Sequence, residues 1–338
     1  MLCDKIIAYD HLKQKITVIV NMKTNDLENQ YNKAINDIDE IVKMINDPTP
    51  VSKLTSYKDV EFKSNFTEEE YADTVNKTKE YIFDGDIFQA VISRRFETKY
   101  EGSLLNAYRV LRVTNPSPYM VFMKIGENEI ISTSPETLVR YQNGRMTTFP
   151  IAGSRPRGKT EEEDIALEKD LLQDEKELSE HNMLVDLGRN DIGKISKFNS
   201  VTVTEYMKVL RYSKIMHICS EVQSDALDTV DSFDAIEAVL PAGTLSGAPK
   251  VRACEIIEEL EKCPRGVYGG AIGYVDFNGN MDTCIAIRMA SKIKDKVYVQ
   301  AGGGIVADSI PHNEYMESYN KALAVMNAIR NAGEVEEV

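Results

Sequence analysis

Helix-like and strand-like runs interleave along this 338-residue chain without a regular strand–helix–strand beat. Doubly wound sheets and eight-fold barrels need that beat. Its absence points to an α/β chain of the α+β kind, or a mixed sandwich. Strand patterns are predicted within 5–21, at 88–92, 119–125, 129–133, 201–204, 271–275 and 297–301. The apolar run 284–289 also looks like strand. Helical periodicity is predicted over 24–46, from Thr67 onward, and over 161–188, 232–239, 251–260 and 314–332. Thr24 and Asn25 suit a helix start, and Thr67-Glu68-Glu69-Glu70 is a capping-box start. The stretch 48–66 has no clear period and opens Pro48-Thr49-Pro50, so it is expected to link residues 1–47 to a main body at 67–332.

Charge and cysteine content exclude some functions. The formal net charge is -14, whereas non-specific nucleic-acid or anionic-membrane binding needs a basic face. No apolar run approaches the length of a membrane span. The start Met1-Leu2-Cys3-Asp4-Lys5 shows no signal-peptide pattern. Cys3, Cys219, Cys254, Cys263 and Cys284 are scattered and contain no C-x-x-C pair, so reduced thiols in the cytoplasm fit best.

Two acidic pairs stand out. Glu177 and Glu180 share a helix face where an acidic run turns apolar, and Glu314 and Glu317 repeat the spacing near the C-terminus. Taken alone, such pairs also suit a solvated helix surface. At a buried edge they need compensation, which a hard divalent cation supplies. Gly302-Gly303-Gly304 and the stretch from Gly243 to Lys250 match no nucleotide motif, but glycine lets backbone N–H groups approach a carboxylate closely. Arg288 in the 284–289 run reads either as a residue reaching solvent or as a carboxylate clamp. His217, between apolar neighbours, reads either as a core histidine or as a catalyst.

Together these segments resemble the chorismate-utilising enzymes, and within them the anthranilate synthase component I branch. The matching stretches are Asp86-Ile87-Phe88-Gln89, Asn115-Pro116-Ser117-Pro118-Tyr119-Met120, Ser134-Pro135-Glu136, and the run from Pro150 to Gly158. They continue through 177–191, 240–250 and 302–317, in family order. The resemblance implies two β-sheets stacked between helices, with the substrate between them. It implies one Mg2+ held by Glu177, Glu180, Glu314 and Glu317. Glu136 is then the acid that assists loss of the C4 hydroxyl, and His217 serves the later pyruvate elimination. Tyr268 and Arg288 hold the enolpyruvyl carboxylate, with Thr244, Gly303, Gly304 and Lys321 as further substrate contacts. Asn115, Pro116, Pro118, Tyr119 and Met120 match one part of a tryptophan feedback site.

Two positions separate branches of the family. Gln89 replaces the lysine of members that add water. Ala152 replaces the lysine that many 4-aminodeoxychorismate synthases use as a nucleophile. The expected reaction is therefore chorismate plus ammonia to anthranilate and pyruvate, in tryptophan biosynthesis, with a separate glutamine amidotransferase supplying the ammonia. The same resemblance predicts a longer N-terminal region than residues 1–47 provide. It leaves 4-aminodeoxychorismate synthesis, or a non-catalytic remnant, as alternatives.

Overall fold

The computed structural model describes residues 1–49, 60–212 and 215–335, and divides the chain into two units, Met1–Lys53 and Leu54–Val338. In the first unit, β1 (Lys5–Asp10) and β2 (Lys15–Val20) form an antiparallel hairpin, followed by α1 (Leu27–Ile45). Asp10 Oδ1 accepts from the N–H groups of Leu12 and Lys13, which turns the hairpin. α1 starts three residues later than expected. Its N-cap is Asp26 in a left-handed conformation, and neither Thr24 nor Asn25 caps it.

The segment 48–66 assigned as a linker lies mostly outside the described residues. Its described end belongs to the second unit: Val60 and Phe66 are buried, and β3 (Lys63–Ser64) pairs with β4 (Gln89–Lys99). Three apolar residues (Val60, Phe62, Phe66) are too few to show a period, so only tertiary packing reveals their role.

The chain then enters α2 (Glu68–Phe83), whose capping box at Thr67 and Glu70 forms as the sequence predicts. After β4 come α3 (Leu105–Thr114), β5 (Tyr119–Ile125), β6 (Asn128–Ser134), β7 (Thr137–Gln142), β8 (Arg145–Thr148) and β9 (Ile151–Pro156). The predicted helix over 161–188 is two helices, α4 (Glu161–Leu171) and α5 (Glu175–Gly193). Asp174 separates them, because its carboxylate accepts from the N–H groups of Lys176 and Glu177 and so starts a new helix.

β10 (Thr202–Arg211), β11 (Ile215–Asp225), α6 (Ser232–Val239), β12 (Gly247–Ala248) and α7 (Lys250–Leu260) follow. The unit closes with β13 (Ala271–Val275), β14 (Met281–Ile285), β15 (Met289–Ile293), β16 (Lys296–Ile305) and α8 (Pro311–Arg330).

The second unit's strands form two seven-stranded antiparallel sheets among the described residues. One runs β10-β11-β8-β7-β14-β13, with β9 also on β11. The other runs β12-β4-β16-β15-β6-β5, with β3 also on β4. Apolar residues of α3 and α8 bury one face of the second sheet, and those of α2 and α7 pack around β4. Residues of α5 and α6 cover the first sheet.

The chain passes directly from one sheet to the other twice. Pro135 and Glu136 carry it from β6 to β7, and residues 286–288 carry it from β14 to β15. The predicted run 284–289 is therefore not one strand. It breaks at this passage, where Arg288 adopts a left-handed φ of 45°. The two passages lie side by side: Ile285 N–H donates to Glu136 O at 3.0 Å, and Thr133 N–H donates to Arg288 O at 3.1 Å.

Candidate active site

Both passages open onto a cavity of about 780 Å³ lined by residues of both sheets and of α5 and α8. Glu136 sits on its wall. Thr244 Oγ1, on the 3-10 turn Gly243–Leu245, donates to Glu136 Oε1 at 3.0 Å. Burial pushes the Glu136 carboxyl up to about 7, against that hydrogen bond and the nearby charges of Lys321 and Arg288. Solvent reaches the residue where it lines the cavity, but protein otherwise surrounds its carboxyl group. A carboxylic acid with this affinity keeps its proton in part near neutrality, as a general acid requires.

Arg288 lines the same cavity. Burial lowers its basicity and the field of Glu136 works the other way. Its guanidinium makes no hydrogen bond or ion pair with a described side chain. A left-handed arginine costs about 1–3 kcal/mol and persists only where surrounding structure enforces it. Here that enforcement leaves a buried cation facing the cavity, an arrangement suited to an anionic ligand.

His217 is on β11, opposite β9. The β9 register shifts at Gly153, whose φ is 74°. This bulge turns the Gly153 carbonyl toward the ring, which places His217 Nδ1 3.0 Å from it. A carbonyl only accepts, so Nδ1 carries the proton and Nε2 keeps its lone pair. Burial also lowers the His217 pKa. The neutral ring is thus a base.

The four glutamates come together. Glu177 and Glu180 of α5 and Glu314 and Glu317 of α8 all line the cavity. Burial raises the carboxyl pKa of Glu177, Glu180 and Glu314, and the field of Glu177 and Glu317 raises Glu180 further. Lys321 Nζ sits 2.7 Å from Glu317 Oε1, and Arg155 Nη1 3.6 Å from Glu177 Oε1. Each pair therefore has one member held by a cation and one without.

Among the described residues no three such side chains converge tightly enough to enclose an ion alone. The donor set of hard oxygens suits a Mg2+ ion, with some carboxylates reached directly, others through its water shell, and positions left for substrate oxygens.

Close packing explains the glycines of β16. A Cβ on Gly303 would lie 3.1 Å from Glu314 Oε2, and one on Gly304 would lie 2.8 Å from the Gln89 amide. Gly304, Gln89, Thr244, Tyr268 and Lys321 line the cavity as expected, whereas Gly303 contributes through its contact with Glu314. Ala152 is also on the wall.

Of the segment assigned to a feedback site, Asn115, Pro116 and Pro118 line this same cavity. Tyr119 and Met120 do not. Tyr119 Oη donates to Asp282 at 2.7 Å and lies 2.8 Å from Thr137 Oγ1, and Met120 packs against the core around α3 and α8. Strand alternation in β5 puts the two on opposite faces, Tyr119 against the cluster of Ile272, Cys284 and Met289 and Met120 against that of α3 and α8.

Lys176, Tyr212 and Gln300 also line the cavity and were not singled out in the sequence. Lys176 is an exposed helix residue whose charge acts on Glu177, Glu180 and Glu314. Its position directly before Glu177 is the one signal that marks it.

Known proteins resemble this chain along nearly its whole length. The chain is 52% identical to anthranilate synthase component 1 of Acetivibrio thermocellus, over 99% of its own length and 69% of that protein. It is 49% identical to anthranilate synthase component 1 of Aquifex aeolicus, over 100% of its length and 69% of that protein. The crystal structure of anthranilate synthase component I from Streptococcus pneumoniae TIGR4 superposes with a TM-score of 0.87 at 43% identity, covering 96% of this chain and 72% of that one. The family described as chorismate binding enzyme matches residues 1–327, and with these two carboxylate pairs, Glu136 and Arg288 converging on one cavity, the chain belongs to that family.

Proposed function

We propose that this chain converts chorismate and ammonia to anthranilate, pyruvate and water, as a magnesium-dependent lyase. The observation that carries the reading is the pairing of Glu136, able to hold a proton near neutrality, with the uncompensated Arg288 on one cavity wall.

The substrate brings two carboxylates. Arg288 and the Tyr268 phenol suit the enolpyruvyl carboxylate. Glu177, Glu180, Glu314 and Glu317 would hold Mg2+, which supplies positive charge for the ring carboxylate. Lys321, which donates to Gly302 O at 3.2 Å, adds a cation beside that position.

Ammonia attacks C2 and the ring double bonds shift. The C4 hydroxyl departs as water with the proton of Glu136, and the proton shed by the new C2 ammonium restores the acid. His217, neutral and bearing a lone pair on Nε2, takes the C2 proton, after which the C3–O bond breaks and pyruvate leaves as its enolate, to be protonated. Gln89 and Ala152 support this outcome by what they lack: neither can activate water as a base nor attack C2 as an amine. Ala152 thus disfavours 4-aminodeoxychorismate as the product.

A separate glutaminase chain is the proposed ammonia source. Burial pushes the thiols of Cys219 and Cys284 up to about 11, so neither suits a glutaminase nucleophile. No described helix is long and apolar enough to cross a membrane, which accords with the proposed cytoplasmic setting.

The test is anthranilate fluorescence from chorismate, magnesium chloride and ammonium sulfate at mildly alkaline pH. Wild type should give signal and Glu317→Ala should lose at least about 100-fold in kcat/KM. Folded wild-type protein giving 4-aminodeoxychorismate, or no product, would overturn the reading.

A further inference from the structure

Behind the cavity wall lies a buried ion pair that touches no reacting position. Glu261 follows α7 and Arg265 comes four residues later. Arg265 Nε donates to Glu261 Oε2 at 2.9 Å and Nη2 to Oε1 at 2.6 Å, a two-pronged contact. The Glu261 side chain is only 5% exposed. Neither residue lines the cavity.

Their remaining hydrogen bonds all go to the wall or to its support. Arg265 Nη1 donates to Leu245 O, and Nη2 also donates to Val91 O at 2.7 Å. The guanidinium lies 5.9 Å from the ring centre of Tyr268. Glu261 Oε1 accepts from Ser93 N–H at 2.7 Å and Ser93 Oγ at 2.8 Å, and Ser93 Oγ accepts from Gln300 Nε2 at 2.8 Å. Val91, Leu245, Tyr268 and Gln300 all line the cavity. They come from β4, the 3-10 turn, the loop after α7, and β16, so one ion pair ties together four separate stretches of chain.

The chemistry of the contact matters as much as its reach. An anion-binding pocket is weakened by carbonyl oxygens turned toward the ligand. Arg265 binds the Leu245 and Val91 carbonyls from behind the wall, and that end of the cavity carries Tyr268, the glycine-rich β16 backbone and Arg288.

We propose that Glu261 and Arg265 are positioning residues for the carboxylate-binding end of the cavity, holding Tyr268, Leu245, Val91 and Gln300 in the arrangement that accepts the substrate's side-chain carboxylate. This rests on the chorismate reading given above. The carboxylates proposed to hold Mg2+ belong to α5 and α8, outside this network, so metal affinity measured without substrate is read apart from it.

Arg265→Lys keeps the charge and its pairing with Glu261, but a single ammonium cannot span both carbonyls in the fixed guanidinium fork. It should raise KM for chorismate roughly 10-fold with kcat within about threefold of wild type. Mn2+ affinity, read by electron paramagnetic resonance without substrate, should not move. Glu261→Gln combined with Arg265→Met removes both buried charges, a replacement that proteins often tolerate, and should show the same KM shift at a wild-type melting temperature.

Wild-type KM in both variants overturns the inference. So does a parallel loss of kcat, Mn2+ binding and melting temperature, which marks a purely structural pair. Wild-type protein that neither makes anthranilate nor binds chorismate by calorimetry is a different result: the functional reading fails, and the inference with it.

Discussion

Glu136 is the residue on which stability and chemistry pull apart. A carboxyl whose folded pKa exceeds its unfolded value stabilises the fold fully below the unfolded value and loses that contribution as pH rises through the folded one. For Glu136 the window runs from the ordinary value of 4.5 to about 7. The shift corresponds to at most about 3 kcal/mol. Glu136→Gln has no charge to bury, so it is expected to melt above wild type at pH 8 and alongside it near pH 5, while losing activity. Melts across that range check the sign, and a pH-independent difference would show that packing rather than ionisation governs it. Glu136 was legible only through Ser134-Pro135-Glu136, since nothing in its local periodicity marks a buried acid. Arg288 was visible as an oddity in an apolar run, but its left-handed backbone was not, because local sequence does not report a passage between two sheets. His217 left two readings open until the bulge at Gly153 supplied its hydrogen-bond partner.

Among the elements, the helices that carry the glutamates are positioned by unlike means. α5 begins at Asp174, whose carboxylate caps the helix and also takes Arg155 Nη2 at 2.8 Å. Asp174→Ala should cost about 1 kcal/mol of stability through the lost cap and weaken Mn2+ binding, since Glu177 lies in the first turn; a denaturant melt and a metal titration read the two effects. Unchanged metal affinity beside the stability loss would separate the cap from the site. The sequence showed the acidic pair yet ran α4 and α5 into one helix, because both are rich in helix formers and the break is only the three residues 172–174. α8 was legible from its period, but its anchor was not: Arg94, 1% exposed, donates through Nε to Ser318 Oγ at 2.8 Å and through Nη2 to Tyr315 O at 2.7 Å. Strands β7, β8, β9, β11 and β14 are short or polar at alternate positions, and become distinct only through their pairing.

Across the molecule, an acidic chain brings three cations onto the same cavity that Glu136 and the two glutamate pairs line. The net charge is -14, yet Arg288, Lys321 and Lys176 face one cavity. Substrate and metal should therefore bind interdependently, each relieving charge the other leaves. Chorismate with Mg2+ is expected to raise the melting temperature by more than the sum of the separate effects, with saturation at 100-fold above Kd contributing about 2.7 kcal/mol. Additive shifts in differential scanning fluorimetry would argue against shared electrostatics.

The side-by-side passages between the sheets also bear on which changes in chain length the protein tolerates. Ile285 N–H to Glu136 O and Thr133 N–H to Arg288 O lock the two connections in register. Deleting one residue from 286–288 would shift Arg288 and unseat the backbone beside Glu136 at once, whereas the exposed turn residues 276–278 have room for change, with Gly279 beside them kept by its φ of 84°. Insertions and deletions should accumulate at such outer turns and be purged from the two passages, making the spacing from Ser134 to Thr137 and from Ile285 to Met289 as much a part of the active site as the side chains themselves.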